Sequence, residues 1–217
     1  MPRLPGPNFF KGITPLLAAV LACGAVLPAA WATIVGLNQI VTPDIQPPGL
    51  LALSAQVQHP DIGNSRQLQF ELGITPRFEL GWFQGFKPRE GFLDAELNLV
   101  QAGPHLLSVG AINWSTRGEP AQPVVEYGYY TDTDHYVLGA IRVHGQDELL
   151  LGYKHQFSDR FQLSADFQSG PGNSTTVGFT YNFTPALSVN PALYWTNASP
   201  HHFLGYVVLT WNLTVWK

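Results

Sequence analysis

The chain has 217 residues, enough for one full-sized domain or one closed barrel, and carries 15 acidic against 11 basic residues. Charged residues make up only 12% of it, about half the roughly 25% of soluble globular domains, while apolar residues stand at an ordinary 45%. This composition speaks against a surface wetted all round by Lys and Glu, and the acidic balance against a nucleic-acid partner held by phosphate neutralisation.

The first element is an export signal. Arg3 and Lys11 are the only charges before Asp44, and Ile13 to Ala30 is almost wholly apolar. Ala30-Trp31-Ala32 places small residues where a signal peptidase needs them, so residues 1–32 are expected to be a signal peptide cleaved before Thr33. Two other outcomes stay open. One is a retained transmembrane anchor, against which Pro15, Pro28 and the cleavage site speak. The other is lipidation at Cys23, which ends the lipobox-like Val20-Leu21-Ala22-Cys23. Cleavage removes Cys23 and leaves nine basic residues against fifteen acidic, a charge of −6. The mature chain then has no thiol or disulfide chemistry. No later stretch approaches the roughly 18 apolar residues of a transmembrane helix.

Residues 33–48 read as an irregular periplasmic lead-in segment, a plug or a tail, because Pro43, Pro47 and Pro48 fall between Asn38 and Gly49. From Gly49 to Lys217 the dominant period is two. Leu68, Phe70, Leu72 and Ile74 alternate with Gln67, Gln69, Glu71 and Gly73, and Val177, Phe179, Tyr181 and Phe183 alternate with Thr176, Gly178, Thr180 and Asn182. Twelve strands are expected, at about 50–58, 66–74, 78–86, 92–100, 105–114, 124–131, 135–143, 149–157, 161–169, 174–183, 187–196 and 203–214. Connections after even-numbered strands are tight, as at Thr75-Pro76-Arg77 and Ser158-Asp159-Arg160, while most of the others are longer and more polar. Aromatics gather near strand ends, at Phe78, Phe92, Trp114, Tyr130, Tyr136, Phe157, Phe161, Phe183, Trp195 and Trp216, where interfacial girdles belong.

An even strand count with short turns at one end and longer loops at the other predicts an all-β, antiparallel up-and-down transmembrane β-barrel over residues 49–217. The competing architecture is a soluble periplasmic β-sandwich, which shares the alternation. The last strand carries Val207, Leu209, Trp211 and Leu213 on one face and ends at Val215-Trp216-Lys217. It resembles the C-terminal signal strand of bacterial outer-membrane barrel proteins, with Lys217 as the departure from a final aromatic. The unit Thr75-Pro76-Arg77-Phe78-Glu79-Leu80-Gly81 resembles the outer-membrane family of phenol-degradation pathways. These resemblances imply a bacterial outer-membrane location, contact with outer-membrane lipid and with the barrel-assembly machinery, and a small porin-like or transporter barrel.

If the apolar faces meet lipid, the lumen receives the polar set. Its charged candidates are Glu71, Glu79, Asp94, Glu96, Glu126, Arg142, Lys154 and Asp166. Glu71, Glu79, Asp94 and Glu96 lie on the second to fourth strands, while Arg142 and Lys154 lie on the seventh and eighth. This makes one wall acidic, and a narrow channel so lined favours cations or small polar solutes. Twelve strands stand between a filled barrel and an open pore, so a lumen packed with side chains and a non-conducting structural or envelope-assembly barrel are the alternatives. Gly73, Gly81, Gly110, Gly128, Gly152 and Gly178 fall in or near the lumen phase and either leave room for solute or relieve crowding.

A lipid hydrolase is the enzyme class to weigh, but no His is followed two residues later by Ser and no G-x-S-x-G occurs, so no catalytic residue is named. His155 reads as an interfacial polar residue. Asp132, Asp134 and His135 crowd one turn, which acidic turns commonly do without a metal. No metal and no cofactor are expected.

Overall fold

The computed structural model describes residues 36–216; the expected signal peptide and Cys23 lie outside the described residues. Twelve strands follow in order: β1 (Leu50–Gln58), β2 (Arg66–Thr75), β3 (Phe78–Phe86), β4 (Arg89–Ala102), β5 (His105–Ser115), β6 (Gln122–Tyr130), β7 (Asp134–Val143), β8 (Gln146–Ser158), β9 (Phe161–Gln168), β10 (Ser174–Thr184), β11 (Leu187–Thr196) and β12 (Phe203–Thr214). Each pairs antiparallel with its neighbours in sequence. β12 returns to β1 from Leu50↔Thr214 to Gln58↔Tyr206, which closes the barrel and leaves no open edge. The expected strands are all present. The largest departures are at β4 and β8, which run to 14 and 13 residues because their hairpins extend beyond the alternating segments.

The side-chain phase identifies the solvent on each side. On β10, Val177, Phe179, Tyr181 and Phe183 are exposed outward, while Thr176, Gly178, Thr180 and Asn182 are buried inside. Leu193 is 56% exposed and Leu138 is 52% exposed on the outer face. A soluble sheet would turn these residues inward. Apolar outside and polar inside is the arrangement of a barrel in a bilayer.

Both rims carry aromatic girdles. At the tight-turn end, ring contacts link Tyr129 to Tyr136 at 6.4 Å and Tyr136 to Tyr153 at 5.2 Å, then Phe157 to Phe161 at 5.7 Å and Phe161 to Phe179 at 5.6 Å. At the loop end, Trp195 meets Phe203 edge-on at 4.4 Å. Two aromatics assigned to girdles from their strand-end positions turn inward instead. Tyr130 stacks on His135 at 4.0 Å, and Phe92 lines the lumen, because both fall in the same phase as the buried polar residues of their strands.

Residues 36–48 run inside the barrel. Leu37 and Ile40 are buried among Ile112, Val124, Val137, Ile141 and Leu150, all directed inward from β5 to β8. The segment leaves at the tight-turn end, where Pro48 bridges to Gly73 and the Gly49 N–H donates to the Gly73 carbonyl at 2.8 Å. Gly49 then turns the chain into β1 with a φ of 75°, against the Trp216 carbonyl, where a Cβ has no room.

Leu138→Arg places a charge on the lipid face near the middle of β7. It should cost about 2–4 kcal/mol and block assembly, read as loss of the heat-modifiable gel band. A normal heat-modifiable band would reverse the assignment of faces.

Candidate functional site

The lumen is built on two halves. The tight-turn half is occupied by residues 36–48, and four glycines make space for them. A Cβ on Gly152 would strike Leu37 and Ile40, one on Gly178 would strike Asn38, one on Gly128 would strike Pro43, and one on Gly73 would strike the Gln46 and Pro47 carbonyls. These glycines stand in lumen phase, and the room they leave is taken by the chain itself.

Polar contacts fix the segment's register. Asp166 accepts the backbone N–H groups of Asn38 and Gln39 on one oxygen, at 2.7 and 3.2 Å. The Asn38 amide donates to Thr176 Oγ1 at 3.0 Å, the Ser164 hydroxyl donates to Asn38 Oδ1 at 3.1 Å, and the Tyr194 hydroxyl donates to the Asn38 carbonyl. Further along, Asp44 lies 3.7 Å from the Lys154 ammonium and 4.0 Å from His135. The Gln46 N–H donates to Glu79 at 2.7 Å. Charge-assisted bonds of this kind are the stronger ones, and they tie the segment to both sides of the barrel.

The acidic candidates on the strands come together on one wall. Glu79 and Glu96 are direct cross-strand partners on β3 and β4, and both are buried. Glu71 on β2, Asp94 on β4 and Glu126 on β6 face the same side of the lumen. Glu126 is fully buried and neither of its carboxylate oxygens has a hydrogen-bond partner in the protein. Asp166 lies apart, on β9, under Asn38. Lys154 faces the lumen from β8 and is buried at 7% exposure.

Arg142 is a correction. It was expected in the lumen, but on β7 the inward phase belongs to Val137, Gly139 and Ile141. Arg142 is exposed on the outer side at the loop end, where its guanidinium holds Asp147 with bonds of 2.7 and 2.9 Å. β7 is apolar on both faces, since its inner face packs on Leu37 and Ile40, so polarity does not mark the lumen there.

The Asp132–His135 turn also resolves into separate contacts. Asp134 accepts from Tyr153 at 2.7 Å and Thr133 at 2.7 Å and pairs with His155 at 2.8 Å, whereas His135 points inward to Asp44. No metal-binding group of three ligands occurs among the described residues.

Among the described residues, the loop-end half of the lumen is open. It holds a cavity of about 450 Å³ floored by Leu37, Ile40 and Val41. Its polar lining includes Gln56, Gln58, Gln67 and Gln69. The loop after β1 folds partly over the mouth: Gln58 donates to the Asn64 carbonyl at 2.9 Å, and Asn64 Oδ1 accepts the Lys87 N–H at 2.9 Å. Sequence reasoning missed the roles of Leu37, Asn38, Ile40 and Asp44. The signal that pointed to them was the recurrence of lumen-phase glycines on β2, β6, β8 and β10.

No known protein family and no curated protein matches the chain. Solved structures do. A KdgM porin in complex with disordered oligogalacturonate aligns with a TM-score of 0.56 at 10% identity, over 75% of this chain and 98% of that one. The NanC porin aligns with a TM-score of 0.56 at 7% identity, over 75% of this chain and 100% of that one. The chain shares the fold of these outer-membrane porins.

Ile40→Asp buries an unpaired carboxylate in the apolar cluster at no cost to the strands. The barrel should stay heat-modifiable while residues 36–48 become open to proteinase K. Unchanged protection would contradict the lumen placement.

Proposed function

We propose that the chain is a narrow porin-like channel of the bacterial outer membrane for small polar or cationic solutes, constricted by its own residues 36–48. The observation that carries this reading is a cavity lined by Glu71, Asp94 and amide side chains inside an apolar exterior. The buried Glu126 carboxylate and the Ser188 and Asn190 oxygens have no protein partner, which supports a solvated interior, since buried polar groups are otherwise almost always paired. A dry structural plug would not retain carboxylates on β2, β3, β4 and β6 against their desolvation cost.

The likeness to the KdgM and NanC porins supports a channel as well. The charge differs in sense from what the KdgM complex carries, however. Oligogalacturonate is a polyanion, and an open cavity whose charged lining is Asp61, Glu71 and Asp94, without Lys or Arg, repels one. The reading places the chain in the outer membrane after export on the signal of residues 1–32. It gives the outer belt to lipid and β12 to the assembly machinery, and it assigns no catalytic residue and no cofactor.

One observation favours the alternative of a non-conducting envelope barrel, namely the close seat of residues 36–48 against four strands. Planar-bilayer recording separates the two. The refolded chain should give small, weakly cation-selective steps, and deletion of residues 36–48 should enlarge them. Glu71→Gln with Glu96→Gln should move the reversal potential towards anions. Silence from both folded forms would overturn the channel, and silence relieved only by the deletion would establish the sealed barrel.

A further inference from the structure

The open half of the lumen has a lining more specific than a water-filled vestibule needs. Strands β11, β12, β1, β2, β3 and β4 are consecutive around the wall. Across them the inward residues change from aromatic to amide and back to aromatic. Tyr194 and Tyr206 on β11 and β12 lie with ring centroids 5.7 Å apart. Gln56 and Gln58 on β1 and Gln67 and Gln69 on β2 then form a ladder. Gln56 donates to Gln58 at 2.7 Å, and Gln69 donates to Gln67 at 3.3 Å. Phe83 on β3 and Phe92 on β4 are direct cross-strand partners, and both rings line the cavity.

Phenyl rings in the lumen phase of a polar barrel have no lipid to meet. They are also not part of the apolar cluster that holds Leu37 and Ile40. Each primary amide carries two N–H donors and a carbonyl with two lone pairs; Gln69 spends both donors, on Gln56 and Gln67, and Gln58 donates to Asn64, so spare donors of the ladder lie on Gln67 and Gln56. The charged lining residues are Asp61, Glu71 and Asp94, with no Lys or Arg among them. The cavity of about 450 Å³ falls within the roughly 300–1,000 Å³ of small-molecule sites.

We propose that this vestibule binds an uncharged sugar or polyol, with Phe83 and Phe92 against a C–H face of the ring and the amide ladder on its hydroxyls. A hydroxyl both donates and accepts, as an amide does, so each satisfies the other. An organic ammonium only donates and leaves the amide N–H groups unmet. An anionic sugar meets three carboxylates and no cation. The proposal names a solute class for the channel reading, and it rests on that reading for transport but not for binding.

The test is saturation-transfer NMR on the full chain refolded in detergent. The probes are glucose, maltose and cellobiose, set against digalacturonate and n-butylammonium. Transfer is expected to at least one neutral sugar and to neither charged probe. Phe83→Ala with Phe92→Ala should weaken that sugar's binding by about tenfold, with the heat-modifiable band intact. Gln67→Leu, which leaves the aromatic pairs in place, should weaken it independently. Absence of transfer to every neutral probe overturns the proposal, as does equal or stronger transfer to n-butylammonium or digalacturonate. Sugar binding by a barrel silent in the bilayer would strike only the channel reading. Conductance without sugar binding would strike only the vestibule.

Discussion

Twelve strands enclose more volume than their inward side chains can fill, and every feature of this lumen answers to that constraint. In the tight-turn half the excess is taken up by residues 36–48, seated on glycines of β2, β6, β8 and β10. The seat is possible because Leu37 and Ile40 have an apolar patch waiting on β5 to β8. Burying such side chains is worth about 1.5–3 kcal/mol each. Asp166 and Glu79 then take backbone N–H groups of the same segment, which would otherwise be orphaned inside the barrel.

The charges follow the same division. Lys154 and His135 face Asp44, and Glu126 stands on β6, the strand beside β7. Asp44 therefore offsets the basic groups and leaves carboxylates in excess in the lumen. Glu126, fully buried with neither oxygen paired, costs stability, so its retention points to function rather than to folding. The vestibule borders the segment at Leu37, Ile40 and Val41. The plug and the cavity are two faces of one element.

Most of the barrel was legible in the sequence because its determinants are local. Period-two alternation on β2 and β10 and tight turns such as Thr75-Pro76-Arg77 fix strands, phase and hairpin order without distant information. Arg142 was not legible, because β7 is apolar on both faces and its inner face is set by Leu37 and Ile40, about a hundred residues away. The place of residues 36–48 was legible only as a choice between plug and tail, through the irregularity of Pro43, Pro47 and Pro48. That they lie inside depends on glycines spread over four strands, each of which reads as an ordinary strand glycine. Phe92 was misread for a related reason. Its strand-end position suggests a girdle, but its phase puts it with Asp94 and Glu96 in the lumen.

The most direct test of the lumen placement is a cross-link between its two partners, Asn38 and Thr176, whose side chains meet at 3.0 Å. With Cys23→Ser as background, Asn38→Cys and Thr176→Cys should oxidise to a disulfide within the folded, heat-modifiable barrel, read by mass spectrometry of the linked peptides. Thiols that stay free in the folded barrel would place the segment elsewhere and remove both the constriction and the vestibule floor.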